Sequence, residues 1–212
     1  MLSQIVDAIL HVDTYLQFIV NEYSALTYLL LFLIIFIETG IVIAPFLPGD
    51  SLLFAAGALA ALGYFKIGIL YIIVFVAAVI GDAVNYHIGK YIGPRIFRKK
   101  SSFFFNKEYL IKAQTFYERY GKKTIILARF IPIIRTFAPF VAGIGRMPYR
   151  IFLVYNVIGA FLWCSLFIFG GFLLGNITRV KEHFELLVIG IILVSMIPLI
   201  KEIISFLSKR KK

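Results

Sequence analysis

Apolar residues run in long blocks along this chain, and the polar residues that interrupt them set the predicted elements. Residues 1–22 mix the two at helical spacing, with Ile5, Val6, Ile9, Leu10, Leu16, Ile19 and Val20 among Asp7, His11, Asp13 and Gln17. This pattern predicts a short amphipathic helix lying at a membrane interface. From Leu26 to Ala61, 36 residues carry only two charges, Glu38 and Asp50. One span needs about 20 residues, so the block is too long for one span and too short for two with a solvated loop. Pro45, Pro48 and Gly49 break it in the middle. The prediction for residues 24–63 is therefore a span over about 24–41, then a re-entrant hairpin over about 43–63. Broken backbone at membrane depth is tolerated where protein or a wet cavity covers it.

Residues 67–92 read as a second span, with Asp82 and His87 in its later half. Residues 94–123 form a basic connection, with nine Lys or Arg against Glu108 and Glu118, and a helix is expected near 107–120. Residues 124–147 are apolar again but hold Arg129, Arg135, Pro132 and Pro139 and run to Gly143, which predicts a second re-entrant hairpin. Spans follow at 150–175 and about 184–207, and residues 208–212 are a basic tail. The positive-inside rule puts the basic connection, the C-terminus and, by counting back, the N-terminus in the cytoplasm. The expected fold is an all-α polytopic membrane protein, one membrane domain of four transmembrane helices with two facing re-entrant hairpins. A faint repeat accompanies it. Phe46-x-Pro48 matches Phe130-x-Pro132 and Ala56-Gly57 matches Ala142-Gly143, each ahead of a span ending in glycine, Gly93 or Gly175. The hairpins open to opposite sides, so the repeat is inverted, as in many transporters.

Composition sharpens this picture. Of 212 residues 61% are hydrophobic, against about 45–50% in soluble domains, and the mean hydropathy is +0.92. The net charge is +11, but its basic residues lie between apolar runs, which favours anionic lipid over nucleic acid as partner. The start lacks the basic region and cleavage site of a secretory signal. The lone Cys164 makes no internal disulfide, and no metal-ligand spacing or cofactor motif is present.

The candidate chemistry lies in the charges inside apolar runs. Glu38, Asp50, Asp82, Arg129 and Arg135, if central and uncompensated, would cost roughly 12–17 kcal/mol on insertion scales. A typical fold is stable by only about 5–15 kcal/mol, so these groups must pair, face water or be neutralised. The least costly arrangement sets the first hairpin's acids against the second hairpin's arginines. Glu38 has a plainer reading at the headgroups, and Asp50 one as a cap on the hairpin's second arm. Two readings stand for Asp82: a further polar site, or a structural cluster with Asn85 or Tyr86 one turn on. His87, Trp163 and the many other aromatics read as ordinary interfacial residues. Arginine grips phosphate or carboxylate through a planar fork, and Pro132 is placed to start a half-helix whose N-terminus adds positive potential. Acid and arginine together point to proton-linked handling of an anion. A cation antiporter would use the acids alone, and a membrane organiser would need none of these groups. A lipid phosphatase would want a His or Cys nucleophile beside the arginines, so no enzyme is expected.

Several motifs carry a resemblance. They are E-T-G-I-V-I-A-P-F-L-P-G-D from Glu38, G-D-A-V-N-Y-H-I-G-K-Y-I-G from Gly81, and R-F-I-P-I-I-R-T-F-A-P-F-V-A-G from Arg129. G-R-M-P-Y-R-I-F from Gly145 and N-V-I-G-A-F-L-W from Asn156 continue them. In this order they resemble the DedA, or VTT-domain, family over about residues 24–176. The resemblance implies a bundle with two facing re-entrant hairpins in a bacterial cytoplasmic (inner) membrane. It implies a lipid transporter or scramblase, with undecaprenyl phosphate or another anionic phospholipid as substrate and protons as partners. An oligomer is compatible with it. It places the family's acids at Glu38 and Asp50, as proton carriers, and its arginines at Arg129 and Arg135, as substrate-binding residues.

The topology has a direct test. In a Cys164→Ser background, single cysteines are placed at Gly63, Ser101, Asn176 and Ser208. An impermeant thiol reagent applied outside should label only positions 63 and 176, and labelling at 101 contradicts the scheme.

Overall fold

The computed structural model describes residues 24–41, 49–96 and 107–177. The expected interfacial helix at 1–22, the hairpin tip with Pro45 and Pro48, the span at 184–207 and the tail at 208–212 lie outside the described residues. Eight α-helices are present among the described residues: α1 (Ser24–Gly40), α2 (Gly49–Ala61), α3 (Ile67–Ile96), α4 (Lys107–Tyr120), α5 (Thr124–Ala128), α6 (Pro132–Ile144), α7 (Tyr149–Cys164) and α8 (Gly170–Gly175). A 3-10 turn, Gly121–Lys123, joins α4 to α5, and a π-helical turn, Ser165–Phe169, joins α7 to α8. No strand occurs among the described residues.

Among the described residues, two helical stretches are long and apolar enough to cross a membrane, Ile67–Tyr91 and Tyr149–Gly175. They fall on the expected spans at 67–92 and 150–175. By contrast α2 and α6 have 13 residues each. At 1.5 Å per residue they reach only about 20 Å, short of a hydrocarbon core of about 30 Å.

The break before α6 follows from Pro132. Proline supplies no N–H and stands at the first turn of α6. It also pushes Ile131 out of the helical region, to φ −121 and ψ 104. The interruption is therefore confined to Arg129–Ile131. Pro139 and Gly143, expected as further breakers, do not break the backbone, because both lie inside α6. Loss of one intrahelical donor at Pro139 is tolerated within a helix whose side chains are buried from Arg135 to Phe140.

The described chain divides into two compact units. One contains residues 24–30, 49–71 and 166–177, and the other 31–41, 72–96 and 107–165. In the first, α2 packs on α8 at backbone contact. A Cβ on Gly57 would lie 2.1 Å from the Ile168 carbonyl oxygen, and one on Gly171 would lie 2.0 Å from that of Phe54. In the second, α6 packs on α3 in the same manner. A Cβ on Gly89 would lie 2.1 Å from the Phe140 carbonyl oxygen, and one on Gly143 2.1 Å from that of Tyr86. Small residues of this kind replace hydrophobic drive where lipid is as apolar as the side chains. Around the second seam Tyr86, Ile125, Ala142, Met147 and Phe152 form a buried apolar cluster.

These seams give a controlled prediction. Gly143→Ala and Gly57→Ala should each destabilise the detergent-solubilised protein by about 1–3 kcal/mol, the usual penalty of overpacking. Gly68→Ala meets open space in α3 and should be neutral or mildly stabilising. Thermal unfolding midpoints of the three variants against the parent check this.

Candidate functional site

The four charged residues buried in the second unit, among the described residues, form two ion pairs. Glu38 stands near the end of α1, and Arg135 in the first turn of α6 donates from Nη2 to its Oε1. Both are almost fully buried. Asn85 of α3 fixes the two chain segments that carry them. Its Nδ2 donates to the Thr39 carbonyl at 3.0 Å and to the Thr136 carbonyl at 2.8 Å. One amide thus ties the residue after Glu38 to the residue after Arg135.

The second pair is Arg129 with Asp82. Arg129 follows the last residue of α5, where a helix C-terminus favours a cation. Its Nη2 donates to Asp82 Oδ2, to Asn156 Oδ1 at 2.6 Å and to the Ala78 carbonyl at 3.4 Å. Asn156 in turn donates from Nδ2 to the Val79 carbonyl at 3.0 Å. Ala78, Asp82 and Asn85 recur at three- and four-residue spacing, so α3 presents one polar face to both pairs. Gly159 makes room for the arginine stem, since a Cβ there would lie 3.0 Å from Arg129 Cδ. Two donors of Arg129, Nε and Nη1, have no hydrogen-bond partner among the described residues.

Trp163 stands beside both cations. Its ring centroid is 5.9 Å from Arg129 Cζ and 5.0 Å from Arg135 Cζ, within cation–π range. Its side chain is fully buried. The expectation of an ordinary interfacial aromatic is therefore wrong for Trp163, because a buried indole face stabilises guanidinium charge that lipid would not. The local cluster considered for Asp82 is also absent. Asp82 faces Arg129, while Asn85 bonds the two carbonyls already named and the Tyr86 hydroxyl donates to the Met147 carbonyl.

Asp50 lies in the other unit, half-buried in the first turn of α2, where an acid suits the helix dipole. Gly49 is the first residue of that helix. His87 is half-buried with Nδ1 2.7 Å from the Ala83 carbonyl. Asn156 is the site residue that the sequence reading passed over, while Asn85 entered it only as a neighbour of Asp82 and Trp163 only as an ordinary aromatic. A search for buried charge does not register a neutral amide, although each asparagine is a polar residue inside an apolar span. Among the described residues no group of three or more His, Cys, Asp or Glu could hold a metal ion. The site is a cluster of two guanidinium groups and two carboxylates, paired one to one.

The VTT domain profile matches residues 47–173. The chain belongs to the VTT-domain, or DedA, family. It is 52% identical over 202 residues to Protein DedA of Escherichia coli strain K12, covering 94% of this chain and 92% of that one. It is 44% identical over 165 residues to an uncharacterized membrane protein of Mycobacterium leprae, covering 78% and 74%. A third relative, inner membrane protein YghB of E. coli, is 33% identical over 159 residues, covering 75% and 73%. No solved structure matches. With these relatives and two membrane-length helices, this VTT-domain chain is a membrane protein.

The ion pairs predict a pattern of stability. Asp82→Ala should destabilise by about 3–5 kcal/mol, because it strands a buried guanidinium. Asp82→Asn with Arg129→Gln should recover much of that loss. Thermal unfolding of the two single variants and the double variant measures the coupling, and simple additivity contradicts the pairing.

Proposed function

We propose that this protein moves an anionic lipid phosphate across the membrane, returning undecaprenyl phosphate to the cytoplasmic leaflet with proton coupling. The observation that carries this reading is the pairing of each buried arginine with a carboxylate, Arg135 with Glu38 and Arg129 with Asp82. A carboxylate and a phosphate compete for the same guanidinium fork. Protonating Glu38 weakens its hold on Arg135 and lets a phosphate oxygen take its place. Asp50 is assigned the second proton-carrying role in its own unit. The hydrocarbon chain stays in lipid while the phosphate crosses. A free negative charge moving toward a negative interior would oppose about 2.3 kcal/mol per 100 mV, which an accompanying proton cancels.

The proposed architecture is four spans and two re-entrant hairpins in an inverted repeat, with an interfacial helix at 1–22. The short helices α2 and α6 support it, as arms too short to cross. The matching glycine seams support it too. Each short helix docks on a glycine near the end of a membrane-length stretch, Gly171 for α2 and Gly89 for α6. A cation antiporter would leave the two arginines without a task.

Purified protein in liposomes with a fluorescent or radiolabelled polyprenyl phosphate tests the function. Arg135→Lys keeps the charge but loses the fork, and a lost charge-assisted bond of about 1.5–3 kcal/mol lowers binding roughly ten- to a hundredfold. Glu38→Gln and Asp50→Asn should insert normally yet lose most transport. Acidifying the side from which lipid is taken up should speed transport by the parent. Full activity of both acid variants at every pH removes proton carriage, and parental activity of Arg135→Lys removes the phosphate site.

A further inference from the structure

Donors and acceptors are unevenly matched around the Arg129–Asp82 pair. Arg129 Nη2 has two hydrogens and faces three acceptors: Asp82 Oδ2, Asn156 Oδ1 at 2.6 Å and the Ala78 carbonyl at 3.4 Å. Its other nitrogens, Nε and Nη1, are buried and find no acceptor among the described residues. Nε is turned toward α7, where a Cβ on Gly159 would lie 3.2 Å from it. Asp82 is unevenly served too. Oδ2 accepts from Arg129, whereas Oδ1 is buried and accepts nothing among the described residues.

A proton on Asp82 changes this inventory. The neutral acid brings one O–H donor to a face of α3 where acceptors outnumber donors. The Ala78 carbonyl lies one turn before Asp82 on the same helix, and a short polar side chain can donate back to such a carbonyl. Arg129 is then released from Asp82, and its buried nitrogens are open to the oxygens of an anion.

The charged and titratable groups around Asp82 come from four elements among the described residues. Arg129 follows α5 and bonds Asp82 directly. Arg135 of α6 shares the Trp163 ring with Arg129 and holds Glu38 of α1. α7 presents Asn156 and Trp163, both uncharged, with the Cys164 thiol next along the helix. On α3 itself the Tyr86 hydroxyl is committed to the Met147 carbonyl. Glu38 and Asp82 are therefore the carboxylates that hold the two arginines.

Charge balance then sets a requirement. The two pairs together are neutral. A phosphate joined to lipid by one ester bond carries about 1.5 to 2 negative charges at neutral pH, and unbalanced charge at membrane depth is costly. One proton on Glu38 balances part of it, and the rest falls to the other carboxylate of the cluster.

We propose that Asp82 is a proton-binding residue of the transport cycle, taking up a second proton when a phosphate monoester enters the cluster. The inference rests on the transport reading above and gives the cluster one proton for each negative charge of the headgroup. In this step the hydrogen bond from Arg129 Nη2 to Asp82 Oδ2 breaks. An O–H bond forms on Asp82 with a proton from the acidic side, and the guanidinium keeps its own protons and turns to phosphate oxygens. On the alkaline side the O–H bond breaks, the proton leaves to water and the ion pair re-forms. A phosphodiester, with one charge, engages only one carboxylate. Proton count thus separates monoester lipids from ordinary diester phospholipids.

The test counts protons taken up per lipid bound, by titration calorimetry of the full chain in detergent, in buffers of different ionisation enthalpy. The ligands are a short-chain polyprenyl phosphate and its methyl ester, at about pH 7.5, above the second phosphate pKa of about 6. The parent should take up close to one proton more with the monoester than with the methyl ester. Asp82→Asn combined with Arg129→Gln should lose that extra proton. A second measurement leaves Asp82 in place. Infrared difference spectra are taken of protein with carbon-13 at its aspartate carboxyls and with Asp7→Asn, Asp13→Asn and Asp50→Asn. Adding the monoester should produce the band of a protonated, labelled carboxyl. Equal uptake for the two lipids overturns the proposal, as does an extra proton that persists in the double variant or a missing infrared band. The transport reading fails separately. The expected uptake in a parent that moves no polyprenyl phosphate across liposomes would sink that reading and keep Asp82 as a proton-binding group.

Discussion

Two guanidinium groups inside an apolar helix assembly are the constraint on which the second unit depends. Arginine stays charged under all ordinary conditions, so the cost of burying it has to be offset by position rather than by loss of a proton. The chain meets that demand with neighbours drawn from distant segments. Glu38 comes from the end of α1, Asp82 from α3, Asn156 and Trp163 from α7. Removing either carboxylate leaves a cation with no counterion, which is why the pairs act as obligatory contacts and not as optional surface bridges. Asn85 has the same standing although it carries no charge. It bonds the carbonyls of Thr39 and Thr136, each next to a charged partner, so the geometry of the Glu38–Arg135 pair is set through the backbone.

The glycine seams are the complement of this polar centre. Four side chains of opposite charge meet only if the helices that bear them come close, and close approach of α3 and α6 requires that Gly89 and Gly143 carry no Cβ. Gly159 serves α7 in the same way, by giving the Arg129 stem space to lie along the helix. Electrostatics and packing therefore constrain the same positions. A methyl group at a seam would push apart the elements that neutralise the arginines, so a steric change would reach the charge cluster indirectly.

Much of this was legible in the sequence, for identifiable reasons. The spans at 67–92 and 150–175 are long, predominantly apolar runs, the strongest signal a chain offers. Pro132 announced the break because proline acts locally, on its own N–H and on the residue before it. The arginines announced themselves through the energy of burying them. Partner choice was not legible. Glu38 and Arg135 are separated by 97 residues and Asp82 and Arg129 by 47, and one sequence contains no measure of which acid meets which cation. Asp82 could as well have turned to Asn85 or Tyr86 one turn away. Pro139 misled because a buried proline inside a short helix looks, in sequence, like a second break. Trp163 misled because an indole at an interface and an indole against a buried cation have the same neighbours in the chain.

The resting charge of the cluster bears on the direction of the proposed transport. Two guanidinium groups and two carboxylates sum to zero, so a phosphate added to them leaves net negative charge at membrane depth. That charge is removed when a carboxylate takes up a proton as it yields its arginine. In the proposed transport, phosphate and proton bind with positive coupling, and by linkage each raises the affinity for the other by the same factor. On the acidic side of the membrane protons are plentiful and phosphate is held more tightly. On the more alkaline side, in the same proposal, the carboxylate gives up its proton, reclaims the guanidinium and expels the phosphate. In the proposed transport, the competition between carboxylate and phosphate for one arginine depends on which side supplies the proton, so the proton gradient sets the direction.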